Sequence, residues 1–196
     1  MPKRIDRDAR KAQFAEAVWR IILDRGISAV SIRTVAEQAS VAVGSLRHVF
    51  PTRAELLRFS AELMLQRARD RILSTEALED PEQYALEIAK NLLPLHPDSR
   101  AELEINIALI AESPALPELV QLRDDAYQQL GQLCVRLVGI LAEKLGEQDV
   151  REEARRLHAL IDGVALHLLM RPLAEDADWA IRIIRGELHR IAHTSG

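Results

Sequence analysis

Apolar residues recur every three or four positions along almost the whole of this 196-residue chain. In residues 8–25, Phe14, Val18 and Ile21 would lie on one face of a helix, and Gly26 follows as an expected left-handed stop. Half-buried strands would instead alternate apolar and polar residues, and no segment of the sequence does so. Aromatic residues make up only 4% of the chain, which disfavours sandwich and barrel folds. We therefore predict an all-α protein.

Capping and breaking residues divide this pattern into about nine helices. Ser31 and Thr52 offer side-chain oxygens to the free amides of helix starts, and Pro117 marks a boundary farther along. The predicted helices cover residues 8–25, 32–39, 43–49, 53–73, 82–93, 98–112, 117–145, 149–170 and 176–193. The short second and third helices, with the first in front of them, form a helix-turn-helix module. We predict a three-helix domain over residues 1–52 and a larger helical domain over residues 53–196.

Charge is distributed unevenly along the chain, although the formal net charge is only −4. Residues 1–58 hold 11 Lys and Arg against 6 Asp and Glu, a balance of +5, so the remainder carries −9. A basic head on an acidic body would keep the attraction to DNA phosphates local to the head. Ordinary variation of surface charge is the alternative interpretation of the same counts.

The single cysteine, Cys134, has no partner for an internal disulfide, and the N-terminus shows no secretory signal pattern. No apolar stretch reaches the roughly 18 uninterrupted residues that a membrane span needs. We therefore expect a cytoplasmic protein that has no membrane partner.

The third predicted helix, residues 43–49, has almost no apolar face. Only Leu46 and Val49 could hold it against neighbouring helices. A helix that enters the major groove of DNA needs small or polar side chains facing outward, with cations or amides near the phosphates. The residues that meet this need are Arg33, Gly44, Ser45, Arg47, His48, Thr52 and Arg53. The alternative is a surface helical hairpin whose polar face is merely solvated.

The segment SIRTVAEQASVAVGSLRHVFPTRAELL follows the helix that ends at Arg25 and Gly26, and it resembles the DNA-binding domain of TetR-family transcriptional regulators. The nine-helix pattern is similar to that family from end to end. The resemblance implies a homodimeric repressor that binds a near-palindromic DNA operator and releases it when a small-molecule effector binds the C-terminal domain. It also implies DNA contacts from Arg33, Thr34, Gly44, Ser45, Arg47 and His48.

Three positions depart from the pattern of the family. Ser40 stands at a turn position that is commonly glycine, Ala42 replaces the usual Ser or Thr cap of the recognition helix, and Arg47 replaces a frequent Tyr. Loss of a cap costs about 1 kcal/mol, which the rest of the domain can absorb. Because Arg can bind guanine O6 and N7 together, the operator sequence cannot be taken from relatives. Arg53 stands where the family usually has a phosphate-binding Lys.

The last two predicted helices carry wide apolar faces. Such faces could cover one another or pair with a second copy as a four-helix bundle, and periodicity does not separate the two arrangements. The segment LIDGVALHLLM, residues 160–170, resembles the eighth helix of the subgroup related to choline-responsive regulators. This favours dimerisation but does not imply choline as the effector. The predicted dimer interface consists of Leu157, Ile161, Val164, Leu168, Trp179, Ile183, Ile184 and Leu188.

The resemblance places an effector cavity among the fourth to eighth helices. Asn106 lies in an otherwise apolar stretch, where its amide would need a partner such as a ligand, although a neighbouring helix could supply that partner instead. The other residues expected to point into the cavity are Phe59, Leu63, Ile110, Tyr127, Leu130 and Cys134. Plain packing is the alternative role for Tyr127 and Cys134. The low aromatic content favours an aliphatic or weakly polar effector over a flat cation.

Enzymatic activity has little support in the sequence, and we expect no cofactor. His189 and His193 lie four residues apart on one helix face and could bind a metal, but no Cys or paired carboxylate motif accompanies them. We therefore predict a solvated pair without a metal. A helical small-molecule-binding or adaptor protein without DNA binding is the remaining alternative. Salt-dependent binding to duplex DNA separates it from a regulator.

Overall fold

The computed structural model describes residues 3–172 and 175–194, and over these ranges the chain forms nine α-helices and no strand. The helices are α1 (Lys3–Arg25), α2 (Ile32–Gln38), α3 (Val43–Val49), α4 (Arg53–Leu73), α5 (Pro81–Lys90), α6 (Pro97–Glu112), α7 (Pro117–Leu141), α8 (Glu147–Leu169) and α9 (Asp178–Ala192). The all-α prediction is confirmed, and α3 has its predicted ends. Two 3-10 turns, Ile27–Ala29 and Ser113–Ala115, were not predicted. No helix among the described residues is long and apolar enough to cross a membrane.

The chain forms two compact units. The first consists of the chain up to Arg67 together with Glu102–Asp125, and the second consists of Ala68–Ala101 together with the chain from Ala126 onward. This division falls within α4, α6 and α7 rather than after residue 52. The reason is that the core of the first unit includes apolar residues from all three of these helices. The boundary at residue 52 stays a prediction about function.

The core of the first unit holds the helix-turn-helix module in place. Phe14 of α1 meets Phe50 edge to face with ring centroids 6.3 Å apart, and Phe50 lies 5.2 Å from Phe59 of α4. Leu46, the predicted anchor of α3, is fully buried in this core, and Val49 is packed against it. Each fully buried side chain of this size contributes about 1.5–3 kcal/mol to folding. The expected anchoring of α3 through these two residues is confirmed.

Gly26 ends α1 in a conformation that requires glycine. Its amide donates to the carbonyl oxygen of Ile22 at 2.9 Å, and its φ of 76° is positive, as the predicted left-handed stop requires. Its ψ of 164°, however, lies outside the left-handed helical region, in a region open essentially to glycine alone. The chain thereby turns directly into the 3-10 turn that precedes α2.

In the second unit, α5 and α8 both pack against α9. The buried residues that these helices contribute include Leu86, Ile88, Leu157, Ile161, Ile184, Leu188 and Ile191. The α8 side of α9 also carries an ionic cluster, in which Arg190 bonds Glu187 and Glu153, and Arg156 lies 2.9 Å from Glu187. The second unit therefore combines an apolar core with a charged seam between α8 and α9.

Candidate functional site

The second helix of the module begins with a reciprocal cap. The Ser31 hydroxyl accepts from the amide of Thr34 at 3.1 Å, and the Thr34 hydroxyl accepts from the amide of Ser31 at 2.9 Å. The Thr34 hydroxyl also donates to the carbonyl oxygen of Ala29 at 2.8 Å. Ser31 is thus confirmed as the cap. Because the hydroxyl of Thr34 is engaged in the cap, the residue positions α2, and its contact with DNA stays a prediction.

The turn between α2 and α3 contains Ser40 and Ala42, two of the three residues that depart from the pattern of the family. Ser40 has a φ of 55°, a left-handed backbone that L-residues adopt at a cost and glycine adopts freely. Ala42 precedes α3 and makes no side-chain cap, as expected of an alanine. The start of α3 therefore depends on the packing of Leu46 rather than on local capping.

The outward face of α3 is small at its start and cationic at its end. A Cβ atom placed on Gly44 would meet nothing within 4 Å, so the surface there is open. Ser45 is half-buried, whereas Arg47 and His48 are exposed in the last turn. Exposed Arg33 lies in the first turn of α2. Within the described ranges, neither Arg33 nor Arg47 forms an ion pair, so both guanidinium groups are available to a phosphate or a base.

Thr52 and Arg53 stand at the start of α4 with different surroundings. The exposed Thr52 hydroxyl accepts from the amide of Glu55 at 3.1 Å, which confirms Thr52 as the cap of α4. Arg53 instead turns into the first unit. Its Nε donates to the carbonyl oxygen of Val30 at 2.8 Å, and its Nη2 donates to that of Ile27 at 3.1 Å.

The third bond of Arg53 reaches α6, since Nη1 donates to Glu112 Oε1 at 2.8 Å. The guanidinium thus links the turn before α2 to the end of α6. We use the name Arg53 clamp for Arg53 together with its three acceptors, which are the carbonyls of Ile27 and Val30 and the carboxylate of Glu112. A phosphate contact through Arg53 was predicted from its position, and it stays a prediction. The clamp was missed because Glu112 lies 59 residues away in the sequence and nothing local indicates the pairing.

The predicted effector residues are divided between the two units. Phe59, Leu63, Asn106 and Ile110 belong to the first unit, and Tyr127, Leu130 and Cys134 belong to the second. The expectation that all of them point inward is wrong for Ile110 and Tyr127, because both side chains are exposed. Asn106 is half-buried rather than enclosed. Phe59 packs into the core of the first unit, where the Lys11 ammonium lies 5.5 Å from its ring centroid.

Cys134 is fully buried in α7. Burial, together with the negative charge of Asp162, raises the pKa of its thiol from 9.0 to about 12. Because the thiolate is the reactive form of cysteine, this thiol is chemically inert at neutral pH. The packing role considered for Cys134 therefore has direct structural support.

Most of the predicted dimer interface is interior to the single chain. Six of the eight residues, Leu157, Ile161, Val164, Leu168, Ile184 and Leu188, are buried within the second unit, so the prediction is wrong for them. Their apolar faces are covered by neighbouring helices of the same chain, one of the two arrangements that periodicity left open. Trp179 is half-buried and Ile183 is exposed, so these two remain accessible.

The outward faces of α8 and α9 carry a second, smaller apolar surface, of which the sequence patterns predicted only Ile183 as an interface residue. Its residues are Ala159, Gly163 and Leu166 on α8, Met170 directly after α8, and Ile183 and Gly186 on α9, and all of them are exposed. A Cβ atom on Gly163 or on Gly186 would meet nothing within 4 Å. We call this set the outer α8–α9 face.

A helix-turn-helix that presents a free arginine on its third helix, and that continues into a larger helical region, defines a DNA-binding transcriptional regulator. Comparison with known protein families gives the same class of protein. The family described as bacterial regulatory proteins, tetR family, matches residues 15–58, and that described as BetI-type transcriptional repressor, C-terminal, matches residues 81–193. The chain belongs to the TetR family, a class of transcriptional regulators rather than of enzymes.

Two relatives extend over nearly the full chain. The HTH-type transcriptional regulator PksA of Bacillus subtilis is 33% identical over 195 residues, which cover 97% of this chain and 94% of PksA. The HTH-type transcriptional regulator BetI of Paraburkholderia phytofirmans is 26% identical, with 93% of each protein covered. A regulator from Saccharomonospora viridis, crystallised in complex with choline, has the same fold, with a TM-score of 0.81, 23% identity and coverage of 93% and 96%.

Proposed function

We propose that this protein is a homodimeric repressor that binds a near-palindromic operator and releases it when a small molecule binds. The observation that carries the proposal is the exposed, unpaired cationic end of α3, held in position by a fully buried Leu46. Family membership supports the same function. Because its DNA partner lies in the cytoplasm, we place the protein there.

Base reading is assigned to the end of α3. Arg47 can donate two hydrogen bonds to guanine O6 and N7, and His48 adds a further donor or acceptor one residue on. Gly44 and Ser45 allow the start of the helix to approach the DNA closely. Arg33 and Thr52 lie at the starts of neighbouring helices, where guanidinium, hydroxyl and amide groups suit phosphates.

Fluorescence anisotropy with duplex DNA from the region upstream of the protein's own gene tests this assignment. Arg47→Ala should weaken binding by about 1–3 kcal/mol and relax the sequence preference at the base that Arg47 contacts. Arg33→Ala should reduce the slope of log affinity against log salt concentration by about 1, the value for one phosphate contact. Arg136→Ala, which removes an exposed cation of α7, is the matched control. No salt-dependent binding to any upstream duplex would favour the helical adaptor alternative.

Dimerisation is assigned to the outer α8–α9 face, in place of the buried residues predicted from periodicity. Met170 is 75% exposed, and the two glycines of this face would let the helices of two copies approach closely. Analytical ultracentrifugation should show a dimer. Leu166→Glu should give a monomer, whereas Leu73→Glu, at an exposed leucine of α4, should leave the dimer intact. A monomeric parent protein at micromolar concentration would exclude the homodimer.

Release from DNA needs an effector that binds the released conformation better than the DNA-bound one. We propose that the effector contacts Asn106 of α6 as its polar partner, and we expect an aliphatic or weakly polar molecule. The route proposed for the signal is α4, which follows the module directly. Footprinting of the upstream DNA with and without candidate metabolites, in the parent protein and in Asn106→Leu, tests this step. A metabolite that releases the parent protein and Asn106→Leu equally from DNA would exclude Asn106 as the polar partner of the effector.

A further inference from the structure

Three potential metal ligands meet where α5 packs against α9 in the second unit. They are Glu82, in the first turn of α5, and His189 and His193, one turn apart at the end of α9. One ligand atom from each residue lies within 4.8 Å of the other two. His189 Nδ1 is 3.1 Å from Glu82 Oε2, and the two imidazole centroids are 4.1 Å apart. The carboxylate that the sequence patterns lacked is supplied from 107 residues away.

We infer that these three residues bind one divalent transition-metal ion, with Zn²⁺ as the best match. Two imidazoles and one carboxylate are an established zinc ligand set, and they leave a fourth position to water. Two histidines four residues apart on a helix present their rings to the same side, as metal binding requires. Imidazole nitrogen selects Zn²⁺, Ni²⁺ or Cu²⁺ over Mg²⁺ and Ca²⁺, which prefer oxygen ligands. This inference is independent of the proposed binding to DNA.

The spacing of the ligand atoms suits a tetrahedral ion. Ligands about 2.1 Å from a tetrahedral Zn²⁺ lie about 3.4 Å from one another. The 3.1 Å separation of His189 and Glu82 is close to that value. The remaining separations are at most 4.8 Å, and His193 Nδ1 lies 3.8 Å from Glu82 Oε1.

Two hydrogen bonds position the ligands. Asp80 Oδ1 accepts from the amide of Glu82 at 3.0 Å, which fixes the first turn of α5. His193 Nδ1 lies 2.9 Å from the carbonyl oxygen of His189. This contact holds the His193 ring beside Glu82, whose Oε1 lies 3.8 Å from the same nitrogen. A bound ion would join α5 to α9.

Isothermal titration calorimetry of the tag-free, full-length protein with ZnCl₂ tests the site. We expect one Zn²⁺ per chain and a rise in Tm that EDTA reverses, because a ligand of the folded state stabilises it. His193→Gln and Glu82→Gln should each weaken binding at least about tenfold, since even the loss of a supporting hydrogen bond costs that much at such sites. His167→Gln, which removes an exposed histidine of α8, should leave the affinity unchanged.

Each contrary result overturns the inference. Absence of saturable binding at submillimolar Zn²⁺ would show that the three residues only hydrogen-bond. Affinity retained in both His193→Gln and Glu82→Gln would place the ion elsewhere. Affinity lost in His193→Gln but retained in Glu82→Gln would remove α5 from the site. Circular dichroism of each variant without metal checks that the helical fold is kept.

Discussion

Replacement of Arg53 by Lys tests what the guanidinium does in the first unit. The side chain of Arg53 donates at once to the carbonyls of Val30 and Ile27 and to the carboxylate of Glu112. A lysine ammonium is a single compact donor on a flexible stem and does not reproduce the planar fork. Lysine at this position therefore keeps the charge that a phosphate would need and loses most of the Arg53 clamp.

The magnitude follows from the three bonds. A hydrogen bond from a charged donor contributes about 1.5–3 kcal/mol, and the Arg53 side chain is 30% exposed, so solvent weakens each bond. We assign about 1 kcal/mol to each of two lost bonds, and Arg53→Lys should lower the free energy of unfolding by about 2 kcal/mol. For a chain of this length, a loss of about 2 kcal/mol lowers Tm by about 4–8 °C.

Urea denaturation followed by circular dichroism measures the effect. Arg58→Lys is the matched control, because Arg58 pairs with Glu62 on an exposed face of the same helix and should change stability by less than about 0.5 kcal/mol. A double-mutant cycle of Arg53→Lys with Glu112→Gln should show coupling of at least about 0.5 kcal/mol. If Arg53→Lys were as stable as the control, the clamp would not stabilise the first unit and the reasoning would be refuted.

Three further substitutions have defined outcomes in the same denaturation assay. Gly26→Ala should destabilise the protein by about 1–3 kcal/mol, because alanine does not tolerate its backbone angles. Ser40→Gly should stabilise it by about 0.5–1 kcal/mol, since relief of the left-handed strain exceeds the added freedom of the unfolded chain. The hydrogen bond from Arg190 lowers the pKa of Glu187 below its ordinary 4.5, so Glu187 stabilises the fold above that pH and less as the pH falls through its folded value. Glu187→Gln should therefore differ most from the parent protein at neutral pH, and the difference should shrink in acid.

Local patterns were sufficient to predict which segments of this chain are helical, although α1 begins five residues earlier and α7 ends four residues earlier than predicted. The stop at Gly26 and the caps at Ser31 and Thr52 depend on residues within one turn, so the sequence alone indicates them. The anchoring of α3 by Leu46 could be predicted for the same reason, because a helix with few apolar residues must bury those it has.

Contacts between distant segments could not be predicted in this way. Periodicity shows that α8 has an apolar face but not what covers it, and the structure shows that residues such as Leu157 are covered within the chain. An arginine at the start of α4 suggests a phosphate partner, whereas the bonds of Arg53 go to two backbone carbonyls and to Glu112. These partners are set by tertiary packing, which no spacing along the sequence encodes.

The inert thiol of Cys134 makes this protein well suited to spectroscopic labelling. The sequence contains no other cysteine, and this one is enclosed in α7 with a pKa of about 12. A cysteine introduced at an exposed position of α3 would therefore be the only thiol to react with a maleimide dye or spin label near neutral pH. In a dimer, one such substitution would place a probe on each recognition helix. The distance between the two probes could then be followed as effector or DNA is added, without removing the native cysteine.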